Sequence, residues 1–456
     1  MSDLSAVVKA YDVRGLVPEQ LDEAACAALG AAFVSVVGAE RIAVGRDMRA
    51  SSPALSAAFA AGASGQGAAV LDIGLASTDL LYFASGHLGV PGAMFTASHN
   101  PAGYNGIKLC RAGAAPISRD TGLADIQVLA QRLMADGVPA GSAERVEHVS
   151  MLGDYAAHLR GLVDLRGIRP LRVVADAGNG MAGYTVPAVL GDALLPALPL
   201  TVDPLYFELE GTFPNHEANP LDPANLVDLQ RRVVETGADI GLAFDGDADR
   251  CFVVAEDGEP VSPSVVTALV AVRELARRPG AVVIHNLITS KVVPEVIGAH
   301  GGVAVRTRVG HSFIKQEMAR TDAVFGGEHS AHYYFRDFWR ADTGLLAAMH
   351  VLTALGEQPG SLRALVAPFE RYVSSGEINS TVSDPSGATS AVRAAFATRT
   401  ANVDELDGLT VELLDGSWLN VRASNTEPLL RLNVEAADER TMAAIRDEAL
   451  SVIRQT

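Results

Sequence analysis

The sequence predicts an α/β protein of several domains, three or four in number, and three observations lead to this prediction. The chain has 456 residues, more than a single hydrophobic core usually organises. Apolar strands alternate with helical segments up to about residue 368, a pattern typical of parallel sheets covered by helices. The segment after residue 368 has shorter strands and a closing helix, which indicates a smaller α+β unit.

Composition and charge narrow the class of protein. Apolar residues make up 48% and charged residues 20% of the chain, as in soluble globular proteins with ample core. A net charge of −18 excludes the basic footprint of a nucleic-acid binder, and an anionic substrate would need a locally basic pocket. Cys26, Cys110 and Cys251 have no pairing or metal-binding spacing, which fits a reducing cytoplasm. The N-terminus lacks the apolar core of a secretory signal, and the short uncharged stretch 24–39 predicts a buried helix, not a membrane span.

The first α/β unit contains a polar turn that follows a buried strand. A helix at 25–37 and strands at 41–47, 68–74 and 89–95 lead to residues 96–101, TASHNP. Pro101 disfavours helix at Asn100, so Ser98 lies on a turn beside His99. An exposed, rigidly held serine suits a nucleophile or a phosphate carrier, although a plain Asn-Pro turn is an alternative.

Two further segments of this unit carry polar side chains. Tyr11 and Arg14 flank a probable turn and belong either to a site or to a solvated N-terminal arm. Residues 103–108 form a returning strand, and Lys108 at its end either faces the serine or lies on the surface.

The second unit begins after a linker predicted at 138–142. A helix at 154–163 and a strand at 171–176 precede residues 178–183, which match the G-x-G-x-x-G dinucleotide fingerprint. The acidic residue expected about twenty positions later is not clear, since Asp203 lies in an irregular, proline-containing stretch. A tight turn that opens the second domain suffices to explain the glycines.

Residues 245–250, DGDADR, lie between two predicted strands at 239–244 and 251–255. The carboxylates of Asp245, Asp247 and Asp249 can converge on one hard cation, Mg²⁺ or Ca²⁺. An EF-hand loop is excluded because Arg250 occupies the position that requires glycine. A solvated acidic turn is the other interpretation, but carboxylates this crowded repel one another without a cation. Arg250 is well placed for a phosphate oxygen.

The third unit has helices predicted at 265–278 and 291–300 and strands at 281–285 and 303–306. His311 opens another helix, and residues 342–344 begin a final one. Between them, residues 325–332 read FGGEHSAH. Glu328, Ser330 and His332 form a set able to recognise sugar hydroxyls, or else a polar hairpin.

The C-terminal unit follows a linker predicted at 374–376. Strands at 410–413, 418–422 and 429–435 precede a helix at 439–454. The loop 422–428, RASNTEP, offers a guanidinium, hydroxyls and an amide as phosphate donors, with Arg431 shortly after. A simple turn is the alternative interpretation.

Taken together, four of these loops closely resemble one family along the whole chain, the α-D-phosphohexomutases, in their phosphomannomutase/phosphoglucomutase branch. Residues 96–101 resemble the phosphoserine loop of that family and residues 245–250 its metal loop. Residues 327–332 resemble its sugar-binding loop, and 422–428 its phosphate-binding loop. The resemblance implies four domains around a central cleft, three α/β mixed-sheet domains of similar topology and a smaller α+β domain. The expected domains are residues 1–149, 150–258, 259–368 and 369–456.

The resemblance also implies a mechanism. Ser98 would carry a phosphoryl group, and a hexose 1,6-bisphosphate would serve as intermediate and activator while hexose 1-phosphate and 6-phosphate interconvert. Mg²⁺ would be held by Ser98, Asp245, Asp247 and Asp249. The expected catalytic residues are Ser98, Arg14, Lys108, Arg250, His311 and His332. The expected substrate-binding residues are Tyr11, His99, Glu328, Ser330, Arg422, Ser424, Asn425, Thr426 and Arg431.

Specificity is less closely determined by the loops. Glu328 and Ser330 would hold O3 and O4, which glucose and mannose share. Bifunctional bacterial members usually have Met and Gly where His329 and Ala331 stand, and phosphoglucosamine mutases Gln and Gly. This favours mannose and glucose phosphates over glucosamine phosphate. Some members also carry a basic residue after the first strand of the third domain, where this chain has Asn286, Leu287, Ile288 and Thr289, so a phosphosugar contact from that strand is in doubt.

The remaining expectations concern partners and rival functions. We expect a cytoplasmic enzyme, a monomer or weak dimer, that acts on a small phosphosugar and binds neither nucleic acid nor membrane. A Mg²⁺-dependent sugar phosphatase would not need two separated phosphate sites. A noncatalytic binding protein should have lost Ser98 or the aspartates, and no phosphate-binding loop of ATP-dependent kinases occurs.

Overall fold

The computed structural model describes residues 3–423 and 429–455, and these form four sheets with their helices. Three sheets mix parallel and antiparallel strands, and the fourth is antiparallel throughout. The predicted fold class of three α/β domains and a smaller α+β domain is therefore confirmed.

The first sheet has seven strands in the order β1-β5-β4-β2-β3-β7, with β6 paired to β5. Its strands are β1 (Val13–Leu16), β2 (Arg41–Arg46), β3 (Ala69–Leu75), β4 (Gly92–Phe95), β5 (Tyr104–Arg111), β6 (Ala115–Pro116) and β7 (Val146–His148). Its helices are α1 (Leu4–Val7), α2 (Glu23–Val37), α3 (Ser52–Gly65), α4 (Thr78–Leu88) and α5 (Leu123–Asp136). Helix α2 shows why the ends fall where they do: the Asp22 side chain accepts from the backbone N–H of Ala25, and Gly38 ends the helix in the left-handed conformation.

The second sheet has five strands in the order β12-β11-β10-β8-β9. Its strands are β8 (Leu171–Asp176), β9 (Leu200–Leu205), β10 (Ile240–Phe244), β11 (Cys251–Ala255) and β12 (Pro260–Val261). Its helices are α6 (Leu152–Leu162), α7 (Ala182–Val189) and α8 (Val227–Thr236). The glycine turn 178–183 joins β8 to α7, and the backbone N–H of Met181 donates to Gly246 O at 2.9 Å. The glycines therefore allow close packing against the acidic loop, because a Cβ on Gly180 would lie 2.7 Å from that same oxygen.

The third sheet has five strands in the order β14-β13-β15-β16-β17. Its strands are β13 (Val282–Asn286), β14 (Val303–Thr307), β15 (Phe325–Gly327), β16 (Tyr333–Phe335) and β17 (Ala341–Asp342). Its helices are α9 (Pro263–Arg277), α10 (Val292–Ala299), α11 (His311–Thr321), α12 (Gly344–Gly356) and α13 (Leu362–Val366). Helix α12 is buried along its whole length and begins at Thr343, whose hydroxyl accepts from Leu346 N.

The fourth sheet has six strands in the order β18-β23-β22-β21-β20, with β19 also paired to β23. Its strands are β18 (Val373–Ser374), β19 (Ile378–Thr381), β20 (Thr400–Asp404), β21 (Leu409–Leu413), β22 (Trp418–Ala423) and β23 (Leu429–Ala436), with helices α14 (Pro385–Phe396) and α15 (Glu439–Ile453). The linker predicted at 374–376 is wrong in part. Ser374 pairs with Glu435, and Ser375 N donates to Val434 O at 2.9 Å, so this stretch lies on the edge of the sheet.

Short 3₁₀ helices and the burial pattern complete the architecture. The 3₁₀ helices are Ala112–Ala114, Arg119–Thr121, Ala143–Arg145, Pro223–Leu226, Arg336–Phe338, Ala367–Phe369 and Ala397–Arg399. Among the described residues, every helix is too short or too polar to cross a bilayer. One hydrophobic core runs through the second and third sheets into part of the first, and the first and fourth domains each have a further core of their own. A small cluster of Leu287, Ile288 and Trp418 joins the fourth sheet to the third.

The three mixed sheets share one topological feature. In each, a parallel strand turns directly into an antiparallel neighbour: β4 into β5, β10 into β11 and β15 into β16. The three connecting loops are the polar loops that the sequence singles out. Each loop contains one non-glycine residue with positive φ, namely Ser98 (49°), Ala248 (59°) and Ala331 (64°). Such backbone costs on the order of 1 kcal/mol per residue, and it tightens each turn so that its polar side chains face the cleft.

Candidate active site

Ser98 lies in the turn after β4, with its side chain against the second domain. Its backbone N–H donates to Thr96 Oγ1 at 2.9 Å, which fixes the turn. Its Oγ donates to Asp245 Oδ2 at 2.8 Å and lies 3.2 Å from His99 Nδ1. The serine is therefore held between the imidazole and the acidic loop.

Arg49 holds the backbone of this turn in place, a role that the sequence analysis did not predict. Its buried guanidinium donates to the backbone carbonyls of Ser98 (2.8 Å), Asn100 (2.7 Å), Pro101 (2.9 Å) and Tyr104 (3.0 Å). Asp47 pairs with it at 3.1 Å. Four carbonyls held by one planar cation leave the serine turn little freedom. The signal in the sequence was weak, since an Arg-Asp pair after a strand is common in surface loops.

The three aspartates of the acidic loop converge in a buried cluster. The ligand oxygens of Asp245, Asp247 and Asp249 lie within 4.8 Å of one another. Within the described ranges 3–423 and 429–455, Oδ1 of Asp247 and Oδ1 of Asp249 are buried without a hydrogen-bond partner. Unpaired buried carboxylate oxygens are costly, so this cluster fits a hard divalent cation.

Lys108 contacts the same cluster from strand β5. Its Nζ lies 2.6 Å from Asp247 Oδ2 and 2.6 Å from Asp249 Oδ2. Burial opposes the charge of Lys108, but the two carboxylates raise its pKa well above the usual value. Burial likewise opposes the charge of Asp247, yet Lys108 holds the pKa of that carboxyl well below its usual range. Burial raises the pKa of Asp245 to about 7, although Arg250 offsets part of this effect.

Arg250 connects the acidic loop with the serine turn. Its Nε donates to Asp245 Oδ2 at 2.9 Å, and its Nη2 donates to His99 Nδ1 at 2.6 Å. Because a guanidinium can only donate, His99 accepts at Nδ1 and carries its proton on Nε2. Burial and the Arg250 cation lower the pKa of His99 well below its usual value, so the imidazole is neutral.

Thr78 and Asp79, at the start of α4, form a junction that the sequence interpretation also missed. Thr78 Oγ1 donates to Asp247 Oδ2 at 2.5 Å. Asp79 accepts from the hydroxyls of Tyr155 (2.6 Å) and Thr343 (2.7 Å), and also from Ser77. One carboxylate thus joins the first three domains next to the acidic loop.

Tyr11, Arg14 and His311 line the same cavity as Ser98. Arg14 donates to Asn100 Oδ1 and to Asp12 Oδ2, both at 2.6 Å. The Tyr11 ring stands edge-on to His311, with ring centroids 5.1 Å apart. Burial lowers the pKa of His311 to about 3, so this imidazole is neutral at pH 7.

Glu328 and Ser330 lie on the loop between β15 and β16. Glu328 accepts from Tyr334 OH at 2.6 Å, and from Asn286 Nδ2 and Gly310 N at 3.2 Å each. Ser330 Oγ lies 2.9 Å from His332 Nδ1. Asn286 therefore contacts the carboxylate of Glu328. It lies in the segment where the sequence analysis noted that a basic residue is lacking.

Arg422 and Arg431 lie on the fourth sheet, across the cleft from the acidic loop. Glu377 contacts both: Arg422 Nη2 donates to Glu377 Oε2 at 3.0 Å, and Arg431 Nη1 lies 3.3 Å from Glu377 Oε1. The other predicted donors of this loop, Ser424, Asn425 and Thr426, lie outside the described residues.

Two cavities divide these groups. The first, about 190 Å³, is lined by Ser98, Lys108, Arg250, His311 and His332, among others. The second, about 690 Å³, is lined by Asn286, His329, Ser330, Glu377, Arg422 and Arg431, among others. His332 faces the first cavity and Ser330 the second, so the loop between β15 and β16 borders both.

Comparison with known proteins identifies relatives of the whole chain. The phosphoglucomutase/phosphomannomutase alpha/beta/alpha domains I, II and III match residues 5–133, 153–258 and 263–372, and the C-terminal domain of that family matches residues 377–452. A phosphomannomutase of Salmonella typhimurium is 41% identical over 97% of both chains. A Xanthomonas campestris protein with the name "Phosphohexose mutases" is 39% identical, over 97% of this chain and 98% of that protein. A crystal structure of a phosphoglucomutase/phosphomannomutase family protein from Burkholderia thailandensis superposes with a TM-score of 0.88, at 31% identity, over 100% of this chain and 98% of that one.

Proposed function

Because the chain belongs to the phosphoglucomutase/phosphomannomutase family and is a phosphohexose mutase, we propose that it interconverts the 1- and 6-phosphates of mannose and glucose through a phosphorylated Ser98. A hexose 1,6-bisphosphate is the intermediate and, supplied in trace, the activator. The observation that carries the proposal is the pair of adjacent cavities, one with a nucleophile and the other with paired guanidiniums. A mutase needs both, since one phosphate must be held while the opposite end of the sugar reacts.

Mg²⁺ fits the acidic cluster of Asp245, Asp247 and Asp249, with Ser98 as a further ligand. The unpartnered buried oxygens of Asp247 and Asp249 support this assignment, and hard carboxylate oxygens are the ligands that Mg²⁺ prefers. When bound, the ion supplies positive charge to the phosphoryl oxygens at Ser98. A phosphoserine adds close to two negative charges at this position, so such neutralisation matters.

The transfer step exchanges one phosphorus–oxygen bond for another. The bond from phosphorus to Ser98 Oγ breaks, and a bond to the free hydroxyl of the sugar forms. Arg250 and Lys108 stand beside Ser98 and stabilise the charge on the transferring group. The bisphosphate then reorients, and its other phosphate returns to Ser98.

The proton of the attacking hydroxyl needs an acceptor in the first cavity. His332 and His311 both line it, and the low pKa of His311 keeps its imidazole in the neutral form that can accept. Lys108 is the third candidate, and as an ammonium it donates instead. Arg14 and Tyr11 close the wall of this cavity near the serine turn.

The substrate is held away from the serine by Glu328, which is buried at the loop between β15 and β16, and by residues of the second cavity. Glu328 and Ser330 bind the sugar hydroxyls, and Arg422 and Arg431 bind the distal phosphate, together with Ser424, Asn425 and Thr426 of the same loop. His99 positions the phosphoryl group through its contacts with Ser98 and Arg250.

A mutase assay on the wild type and on Ser98→Ala tests the proposal. Mannose, glucose and glucosamine 1-phosphates are compared with Mg²⁺ and a trace of hexose 1,6-bisphosphate. We expect the first two to be converted to their 6-phosphates, and the conversion to be lost in Ser98→Ala and in EDTA.

Two outcomes would contradict it. Activity on glucosamine phosphate alone would assign the chain to the phosphoglucosamine branch. Release of inorganic phosphate without isomerisation would indicate a Mg²⁺-dependent sugar phosphatase.

A further inference from the structure

We propose that Glu377 is a positioning residue for the phosphate-binding arginines, which pairs their guanidiniums and lowers the net charge that they present to the substrate. The inference rests on the proposed function, since it assumes that the second cavity receives the distal phosphate. Under this proposal, the charge of Glu377 controls how fast the bisphosphate is released and rebound.

Arg422 and Arg431 need a counter-charge because of their register. They face each other directly on β22 and β23. Side chains at such positions on neighbouring strands have Cβ atoms about 5 Å apart, and like charges there repel. A carboxylate between them offsets this repulsion.

The geometry of Glu377 meets this need. Its two oxygens are divided between the two arginines, one at 3.0 Å from Arg422 Nη2 and the other at 3.3 Å from Arg431 Nη1. Among the described residues, the Nε atoms of both arginines are buried without a hydrogen-bond partner. Both arginines also line the second cavity, so their guanidiniums can donate to a phosphate oxygen there.

The backbone before Glu377 has a feature that directs this side chain. Ser374 pairs with Glu435, and Ile378 pairs with Leu432, so residues 375–377 face only residues 433–434. This is a bulge of one residue, with Gly376 at φ +66°. Val434 N donates to Ser375 Oγ at 2.9 Å and fixes it. Bulges of this kind redirect a side chain at the edge of a sheet, and this one places Glu377 in the cavity wall.

The negative charge of Glu377 weakens phosphate binding in the second cavity. The two guanidiniums face the carboxylate of Glu377 and also that of Asp407, which lies 3.8 Å from Arg422 Nη1, so little net positive charge faces a phosphate dianion. The Glu377 carboxylate itself repels the ligand. Removal of that charge strengthens the attraction between the cavity and the phosphate. Since the bisphosphate must leave this cavity and return reversed, tighter binding slows turnover.

The test measures binding without turnover. In a Ser98→Ala background, glucose 6-phosphate is titrated calorimetrically into the protein with and without Glu377→Gln. We expect Glu377→Gln to lower Kd by about three- to ten-fold, by removing one like charge near the ligand. With Ser98 intact, the same substitution should lower both KM and kcat. A merely structural loss would raise KM instead.

Matched variants sharpen the result. Glu377→Asp keeps the charge and should keep Kd within about two-fold, whereas Glu377→Ala, the second neutral variant, should bind at least as tightly as the Ser98→Ala background. Glu448→Gln is the control. Glu448 lies on α15 of the same domain and pairs with Arg399 at 2.7 Å, so loss of its charge should leave Kd unchanged. Thermal melting establishes that each variant is folded.

The outcomes separate this inference from the proposed function. If the wild type is an active mutase but folded Glu377→Gln and Glu377→Ala bind glucose 6-phosphate no more tightly, the role of Glu377 is wrong and the function stands. If the wild type has no mutase activity and Ser98→Ala binds no hexose phosphate, both are overturned.

Discussion

The serine end and the arginine end of the cleft are built in opposite ways. Ser98, Asp245 and Arg250 are each at most 5% exposed. Hydrogen bonds join Ser98 of the first domain to Asp245 of the second, and Asp245 to Arg250. At the other end, the side chains of Arg422, Glu377 and Arg431 are 11%, 25% and 31% exposed and belong to one sheet with its own core. The serine end is buried and held by two domains, whereas the arginine end is partly exposed and held by one sheet.

This contrast suits the proposed mechanism, in which one site serves both phosphates of a bisphosphate. Chemistry requires atoms held to within a fraction of an ångström, which burial and Arg49 provide. Release requires a surface that can give up its ligand, and partly exposed ion pairs do so readily. Substitutions of Ser98 and its partners should therefore lower kcat, and substitutions of the phosphate-facing cations Arg422 and Arg431 should raise KM.

Loss of the nucleophile should have the largest effect. We expect Ser98→Ala to lower kcat on the order of 10³-fold or more, because no phosphoryl carrier remains. The measurement is the mutase assay with glucose 1-phosphate. Ser56→Ala, a nearly buried hydroxyl on α3 in the same domain, is the control and should retain activity. Substantial activity in Ser98→Ala would place the phosphoryl carrier elsewhere.

Loss of a metal ligand should come next. We expect Asp247→Asn to lower kcat on the order of 10²- to 10³-fold, because one carboxylate of the cluster becomes neutral. Mg²⁺ should raise the melting temperature of the wild type and not that of the variant, since an ion that binds only the folded state stabilises it. Differential scanning fluorimetry with and without EDTA makes the measurement. An equal shift in both proteins would show that the ion binds elsewhere.

A substitution at the arginine end should affect a different kinetic constant. Arg422→Ala should raise KM by about 10- to 100-fold, which is the loss expected for one charged hydrogen bond, with a smaller change in kcat. Steady-state kinetics with both hexose 1-phosphates gives the two constants. A fall in kcat alone would remove the distinction between the two ends.

The junction at Asp79 should affect stability more than chemistry. Burial raises the pKa of Asp79 to about 6, although the three hydroxyls that donate to it oppose the effect. A carboxyl whose pKa is raised on folding is most stabilising when protonated. Its contribution is therefore complete below the unfolded pKa, near 3.8, and is lost as the pH rises through 6.

The variant Asp79→Asn, which does not titrate, isolates this contribution. We expect the wild type to gain about 1 to 3 kcal/mol relative to Asp79→Asn between pH 7 and pH 4.5, as judged by urea unfolding at each pH. Glu295→Gln, an exposed group paired with Arg371 at 3.2 Å, should change stability by less than about 1 kcal/mol at any pH. A constant difference between wild type and Asp79→Asn would mean that Asp79 does not titrate in this range.

Much of the fold was predictable because its signals are local. The helix predicted at 25–37 is Glu23–Val37, and the strand predicted at 251–255 is Cys251–Ala255. Periodicity, caps and glycines act within a few residues, so one sequence carries them. The stretch 374–376 was misjudged as a linker because its partner strand, β23, lies about sixty residues away.

The sequence by itself determined which loops concentrate polar side chains, because each loop holds its polar residues within six to eight positions. Only the tertiary structure decided which residues serve them. Thr78 lies 169 residues from Asp247, Ser98 lies 147 residues from Asp245, and Arg49 is about fifty residues from the carbonyls that it holds. Arg49, Asp79 and Glu377 carry no local motif, since a buried charge is defined by the groups that surround it. Those groups come together only when the chain folds, within one domain for Arg49 and Glu377 and between three domains for Asp79.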